Sequence, residues 1–357
     1  EIAASTGSRR SPRLGAMPLL VTLRRAALIL GAVLVLAFAA YGAYWHVMAQ
    51  KLEDGLGPWA AARQADGITL RWSKVALGGF PLRFRFRFTD AHLSAERPIP
   101  AEANVASLDV WANPWNLHRW HLSTREAARL ADPLGALGVT LDHVDGSALL
   151  DEGRPFILDL GIAGARGSGL AQGFGIGKAS VHLEVPPSPP KSHQDTALSA
   201  VIDLGAVTLP QAVPGFGDTV GDVAFSADLK GGLPPGRLAP ALSAWRDSGG
   251  TLELRYFRLR WGGVLLDANG TLALDDALQP EGAFSAEITG QDAAVDLAVG
   301  SGALQPRDAV LAKTVLGLLA KPGPNGEKAI TVPLTVQQDR VFLGPAAIAP
   351  LPRITWE

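Results

Sequence analysis

The run Ala26 to Trp45, AALILGAVLVLAFAAYGAYW, contains 20 residues and no charge. At about 1.5 Å of rise per residue, a helix of that length crosses a hydrocarbon core of about 30 Å. Arg9, Arg10, Arg13, Arg24 and Arg25 precede it against the single acid Glu1, whereas the next 20 residues hold only Lys51 and Arg63 as basic groups. The positive-inside rule therefore makes residues 1–25 a cytoplasmic basic tail, residues 26–45 a transmembrane helix, and everything from about His46 exterior. Tyr41, Tyr44 and Trp45 crowd the outer end, where amphipathic rings settle among headgroups. A cleaved signal peptide has a shorter apolar core followed by a small-x-small site; Ala37-Phe38-Ala39 fits that site but lies inside the run, which favours an uncleaved anchor. The Arg9-Arg10 and Arg24-Arg25 pairs also fit a twin-arginine export signal, although anchoring explains them equally.

Setting aside those five arginines and Glu1 leaves 27 basic and 33 acidic residues, a net charge of −6 for a mildly acidic exterior part. That balance lacks the basic footprint of a nucleic-acid binder. Charged residues are 18% of the chain and apolar ones 47%, which excludes global disorder. The absence of cysteine rules out disulfides and thiolate chemistry. Gly 40 and Pro 26 without collagen periodicity imply many turns between short elements, the composition of a β-rich fold.

Residues 46–66 have helical spacing of apolar groups, with a break expected near Gly57-Pro58. The period then falls to two. In LRFRFRF, Leu82, Phe84, Phe86 and Phe88 take one strand face and Arg83, Arg85 and Arg87 the other, with ITLRWSKVAL as a hairpin partner across Gly78-Gly79-Phe80-Pro81. TLELRYFRLRW, Gly262-Gly263 and VLLDANGTLALD repeat the strand-GlyGly-strand pattern, which suggests a duplicated unit. Leu252 and Leu254 differ in parity from Phe257, Leu259 and Trp261, so a bulge near Arg255-Tyr256 is expected; Asn269-Gly270 reads as a type I′ turn. Residues 186–195 form a Pro-rich loop or linker between possible halves 67–185 and 196–357. Outside the membrane three helices are expected: the membrane-proximal one, one near Pro240–Asp247, and Pro306–Ala320 with a Val310, Leu311, Val315, Leu318, Leu319 stripe.

Chemical motifs are sparse. His118 and His121 form HxxH in a segment that reads as strand, where i and i+3 point to opposite faces, so no metal site is expected. GIAGARGSGLAQGFGIGK misses both the Walker and the dinucleotide spacings, and its glycines read as strand bends. Asp142, Asp145, Asp151-Glu152 and Asp275-Asp276 lie beside turn signals, and no GxSxG elbow occurs; neither catalysis nor a cofactor is expected.

With the Arg-Arg anchor, Trp72, GGFPLRFRFRFTDAHL, NPWNLHRW and the ending VPLTVQQDRVFLGPAAIAPLP, the chain resembles a proteobacterial inner-membrane family catalogued as domain of unknown function 2125. Gly270, Leu272, Leu274, Asp275, Leu278, Pro280, Gly282 and Gly290 also resemble a motif of AsmA-like envelope proteins, which implies repeated hairpins in a curved sheet with an apolar inner groove. The fold class expected is mainly β: an elongated, curved antiparallel sheet or sandwich-like periplasmic domain over residues 67–357. The function expected is non-enzymatic, either binding of membrane lipid or a lipid-like ligand for envelope assembly, or scaffolding of other envelope proteins through sheet edges or the Trp111 to Trp120 region. Leu82, Phe84, Phe86, Phe88, Leu252 and Leu254 form the candidate lipid-contact face, with ordinary core as the competing reading. Arg83, Arg85 and Arg87 form a face toward headgroups or toward solvent.

Overall fold

The structure is a computed structural model that describes residues 17–96, 100–133, 136–151, 154–214, 216–300, 304–322, 328–343 and 346–356. It divides into two compact units, with the boundary between Asp54 and Gly55. Helix α1, Met17–Gln64, runs unbroken through Pro58. The break expected at Gly57 is therefore absent: a proline removes one backbone bond and crowds the carbonyl four residues earlier, which weakens a helix without ending it. Termination comes instead at Gly67, whose positive φ of 81° reverses the chain after the bond from its N–H to the Gln64 carbonyl. From Leu28 onward α1 is long and apolar enough to cross a membrane, and Leu28, Leu34, Leu36 and Phe38 are all exposed.

The second unit is dominated by one antiparallel sheet, 18-stranded among the described residues. β1 (Ile68–Arg71) and β2 (Lys74–Gly78) both pair with β3 (Phe84–Ala95), which pairs with β4 (Ala101–Asn113). β5 (Asn116–Thr124) and β6 (Ala128–Ala131) then share the gap between β4 and β7 (Leu137–Asp151). From there the chain meanders through β8 (Arg154–Gly169), β9 (Gly175–Glu184), β10 (Thr196–Val213), β11 (Gly217–Lys230), β12 (Thr251–Trp261), β13 (Val264–Leu274) and β14 (Pro280–Thr289). β15 (Lys321–Pro322) and β14 both pair with β16 (Lys328–Gln337), and β17 (Arg340–Leu343) and β18 (Ala346–Pro350) follow. The Pro-rich segment 186–195 is a loop between β9 and β10, which pair directly, so the sheet passes without interruption from one suggested half to the other.

Helix α2, Leu238–Asp247, fits the expected segment and is pinned by the Trp245 indole N–H donating to the Lys230 carbonyl at 2.7 Å. Helix α4, Pro306–Leu319, also forms as expected, with proline in its first turn. Helix α3, Gln291–Gly300, is an addition; it buries Gln291 and Val295 and exposes Asp292 and Asp296, a pattern confined to little more than one turn and too short to read as an amphipathic stripe. The bulge at Arg255 is present: Ser226 faces Tyr256 while Ala227 faces Leu254. Asn269-Gly270 is not a turn but lies within β13, where Gly270 faces Phe284. A Cβ on Gly270 would stand 2.6 Å from the Phe284 Cα and ring, so the glycine serves close strand approach. The real two-residue turn is Gly262-Gly263, between the paired Trp261 and Val264.

Register lines the apolar residues up across the sheet. Leu77, Phe86, Val110, Leu122, Gly146, Leu160, Val181, Ile202, Phe225, Phe257, Ala268, Ala286 and Val332 are successive cross-strand neighbours from β2 to β16. The row on one side runs from Phe84 through Ala112, Trp120, Leu158 and Leu254 to Phe284 and Leu334. The row on the other side includes Phe88, Leu108, Ile162, Leu204, Val223, Leu266 and Ile330. The opposite face is polar, with Arg87, Asp109, Ser123 and Asp145 in one row.

A seam crosses this sheet where the alternation changes phase. Phe88 and Ala91, Leu141 and Val144, Ile162 and Ala165, Ile176 and Ala179, Leu204 and Val207, and Val220 and Val223 are each three residues apart, yet all are buried or half-buried. Leu141, Val144, Ile162 and Ala165 belong to one apolar cluster, although strict alternation puts i and i+3 on opposite faces. In β3, β8 and β10 left-handed backbone makes the step, at Asp90 with φ 50°, Gly164 with 77° and Ala206 with 54°, while β7, β9 and β11 follow without a positive φ at the matching position. Because neighbouring strands step together, pairing continues on both sides without a shift, as in Gly205 with Asp222 and Val207 with Val220.

Ala206 bears a Cβ in a conformation that costs an L-residue about 1–2 kcal/mol, against about 0.5–1 kcal/mol for placing glycine in a strand. Ala206→Gly is thus expected to stabilise the chain slightly, while Gly164→Ala, whose Cβ would strike the Asp142 carboxylate, destabilises it. Thermal melting of the full chain in detergent checks both signs.

Candidate functional site

Phe84 and Phe86 are fully buried, and Phe88 is half-buried with its ring edge-on to Trp72 at 5.3 Å. Leu254 shares the Phe84 row and Leu252 the row beyond it, both half-buried, so register puts these five on one face at distant points of the sheet. Leu82 departs from the expectation. It precedes β3 and is 61% exposed, because the Arg83 N–H donates to the Gly79 carbonyl at 2.9 Å and that turn delays the ladder to Phe84.

The burial along the apolar rows is unusual in its distribution. Fully buried positions include Ala112, Ala179, Ala227, Ala268 and Ala286, whereas Val110, Leu122, Leu160, Val181, Ile202, Phe225, Phe257 and Leu259 are only half-buried. In a core filled between two layers the large side chains are the ones that lose most contact with water. Here Phe84 and Phe86 are closed off at the β3 end, as are Leu141, Val144 and Ile330 beside the strip, but the other large side chains named keep part of their surface, along a strip that at about 4.8 Å per strand and 12 strand intervals has a contour near 58 Å.

The polar face carries two shallow concavities, of about 520 and 500 Å³. The smaller is lined by Arg83, Arg85, Asp109, Trp111, Ser123, Thr124, Arg125 and His143. Asp109 is its pivot: buried to 7% exposure, it accepts Arg87 Nε and Arg125 Nε, each at 2.8 Å. Burial alone would raise the Asp109 carboxyl, but the hydrogen bonds and charges of Arg87 and Arg125 outweigh it and hold the group below its ordinary value. Arg83 lies over the Trp111 ring at 5.8 Å, and Trp111 stacks on His121 at 5.5 Å. Burial and then the positive charges of Arg119 and Arg83 lower the His121 pKa. The expected arginine face therefore has two parts, Arg87 committed to Asp109 and Arg83 with Arg85 lining the concavity. Arg125 and Asp109 were not legible as members, since they reach the site through β4 and the turn after β5.

The larger concavity holds Asp145, Asp159 and Asp203 with His121 and His182, the His182 ring meeting Asp159 at 2.6 Å. Among the described residues no group of three His, Cys, Asp or Glu is placed to hold a metal ion. His118 faces away from His121 and meets the Leu150 carbonyl. Asp275 organises a turn by accepting the Ala277 and Gln279 N–H groups, and Asp142 binds Arg166.

A family model described as uncharacterised protein conserved in bacteria (DUF2125) matches residues 45–352. The chain belongs to that family. The match begins at Trp45 and takes in the whole described sheet of this DUF2125 protein as far as β18. No curated protein matches it in sequence.

Because the Asp109 carboxyl is lowered by its partners, its stabilising contribution is present above the ordinary carboxylate value of 3.8 and is lost as pH falls through the lower folded value. Asp109→Asn is expected to cost about 1–2 kcal/mol at neutral pH, the half-exposed guanidinium partners reducing the effect. Melting curves against pH should show the variant and the parent converging in acid.

Proposed function

We propose that the β domain holds the hydrocarbon part of a lipid or lipid-like ligand against its apolar rows, as a non-enzymatic protein of envelope assembly or maintenance. In this reading α1 is an uncleaved single-pass anchor in the bacterial inner membrane, with the N-terminus cytoplasmic and the sheet periplasmic. The observation that supports it most directly is the strip of Val, Leu, Ile and Phe from β2 to β16, half-buried at every such position except the fully buried Phe86. Each methylene taken from water there contributes about 0.8 kcal/mol, so an acyl chain can be retained without a polar catalytic group. The hairpin β13–β14 contains the segment that resembles AsmA-like proteins, which favours the same use of the sheet.

Scaffolding of envelope proteins is the second reading, favoured by Trp115, 68% exposed at the tip between β4 and β5. A photo-crosslinking residue separates the two. Placed at Val181 on the apolar face it is expected to capture lipid in cells, and placed at Ser180 on the polar face it is not. Protein adducts at Val181 without lipid would overturn the lipid reading in favour of scaffolding. For orientation, a reporter active only in the cytoplasm is expected to be silent when fused after Glu357; activity would reverse the topology.

A further inference from the structure

The concavity around Asp109 has a charge pattern that the domain as a whole does not. Exterior residues carry a net of −6, yet Arg83, Arg85 and Arg125 line this space with one carboxylate, Asp109, already shared between Arg87 and Arg125. The acidic groups of the same face, Asp145, Asp159 and Asp203, gather in the neighbouring concavity instead. Three features make the basic site ordered rather than a solvated charge run. Asp109 fixes Arg125 through Nε, leaving the outer part of a planar fork for another acceptor. Trp111 supports Arg83 by cation–π contact and is itself backed by His121. Arg85 sits beside Trp111 in register on the same face.

We infer that this concavity is a binding site for a phosphate-bearing anion, held by Arg83, Arg85 and Arg125 over the Trp111 ring. Arginine suits it because the guanidinium fork matches two phosphate oxygens at once. The site lies on the face opposite the apolar rows, so it does not depend on the lipid reading. The ligand is either a lipid headgroup or free phosphate, which share the recognised group.

Titration of the full chain in a neutral detergent tests this, with inorganic phosphate as one probe and short-chain phosphatidylglycerol as the other, and phosphatidylcholine of equal chain length as the reference. Saturable binding of phosphate or phosphatidylglycerol is expected, falling about tenfold or more in Arg85→Gln and in Arg83→Gln, and unchanged in Arg260→Gln on distant β12. Binding of inorganic phosphate identifies a soluble ligand; binding of phosphatidylglycerol alone identifies a headgroup. Equal binding of phosphatidylglycerol and phosphatidylcholine with none of phosphate, or an Arg85→Gln chain that binds both anions like the parent, would overturn the site. Loss of lipid crosslinks at Val181 would leave this result untouched, which keeps the two proposals separate.

Discussion

Cross-strand register is the constraint on which the rest of this domain depends. Side chains alternate with a period of two, so a slip of one residue in any strand would turn its valines and leucines to water and its arginines and aspartates inward. The antiparallel ladders fix Phe86 against Val110, Val181 against Ile202, and Phe225 against Phe257, and thereby make one apolar face out of many short segments. The same pairing creates the other face: Asp109 receives Arg87 because β3 and β4 set them opposite each other.

The seam shows how such a sheet keeps one apolar face through a change of phase. A single strand that stepped alone would shift register against its neighbours. Here β3, β7, β8, β9, β10 and β11 step at corresponding points, and the ladders close again on the far side. Ala206 and Asp90 hold left-handed backbone without being glycine, a local cost of the kind that surrounding pairing sustains.

Much of this was legible locally and little of it globally. LRFRFRF announced its own two faces, the parity change in TLELRYFRLRW announced the Arg255 bulge, and Pro306 announced a helix start, because each signal lies within one segment. Asn269-Gly270 misled because the pair that suits a hairpin turn also suits a strand whose partner, Phe284, needs the space of a missing Cβ. Leu82 misled because alternation does not reveal where a ladder begins. The basic concavity needed Arg125 from the turn after β5 to meet Asp109 of β4, a pairing that no spacing along the chain encodes.

The central claim is that one continuous apolar face, open to a hydrocarbon ligand, crosses the sheet and survives the seam. A nitroxide scan along β10 from Ile202 to Thr208, comparing collisions with oxygen and with a polar nickel reagent, tests it most directly. The account predicts oxygen-favoured positions at Ile202, Leu204 and Val207, nickel-favoured ones at Asp203, Ala206 and Thr208, and therefore a phase step at Ala206. Alternation continuing unbroken through Ala206, or positions 202, 204 and 207 closed to both reagents as in a filled core, would contradict it.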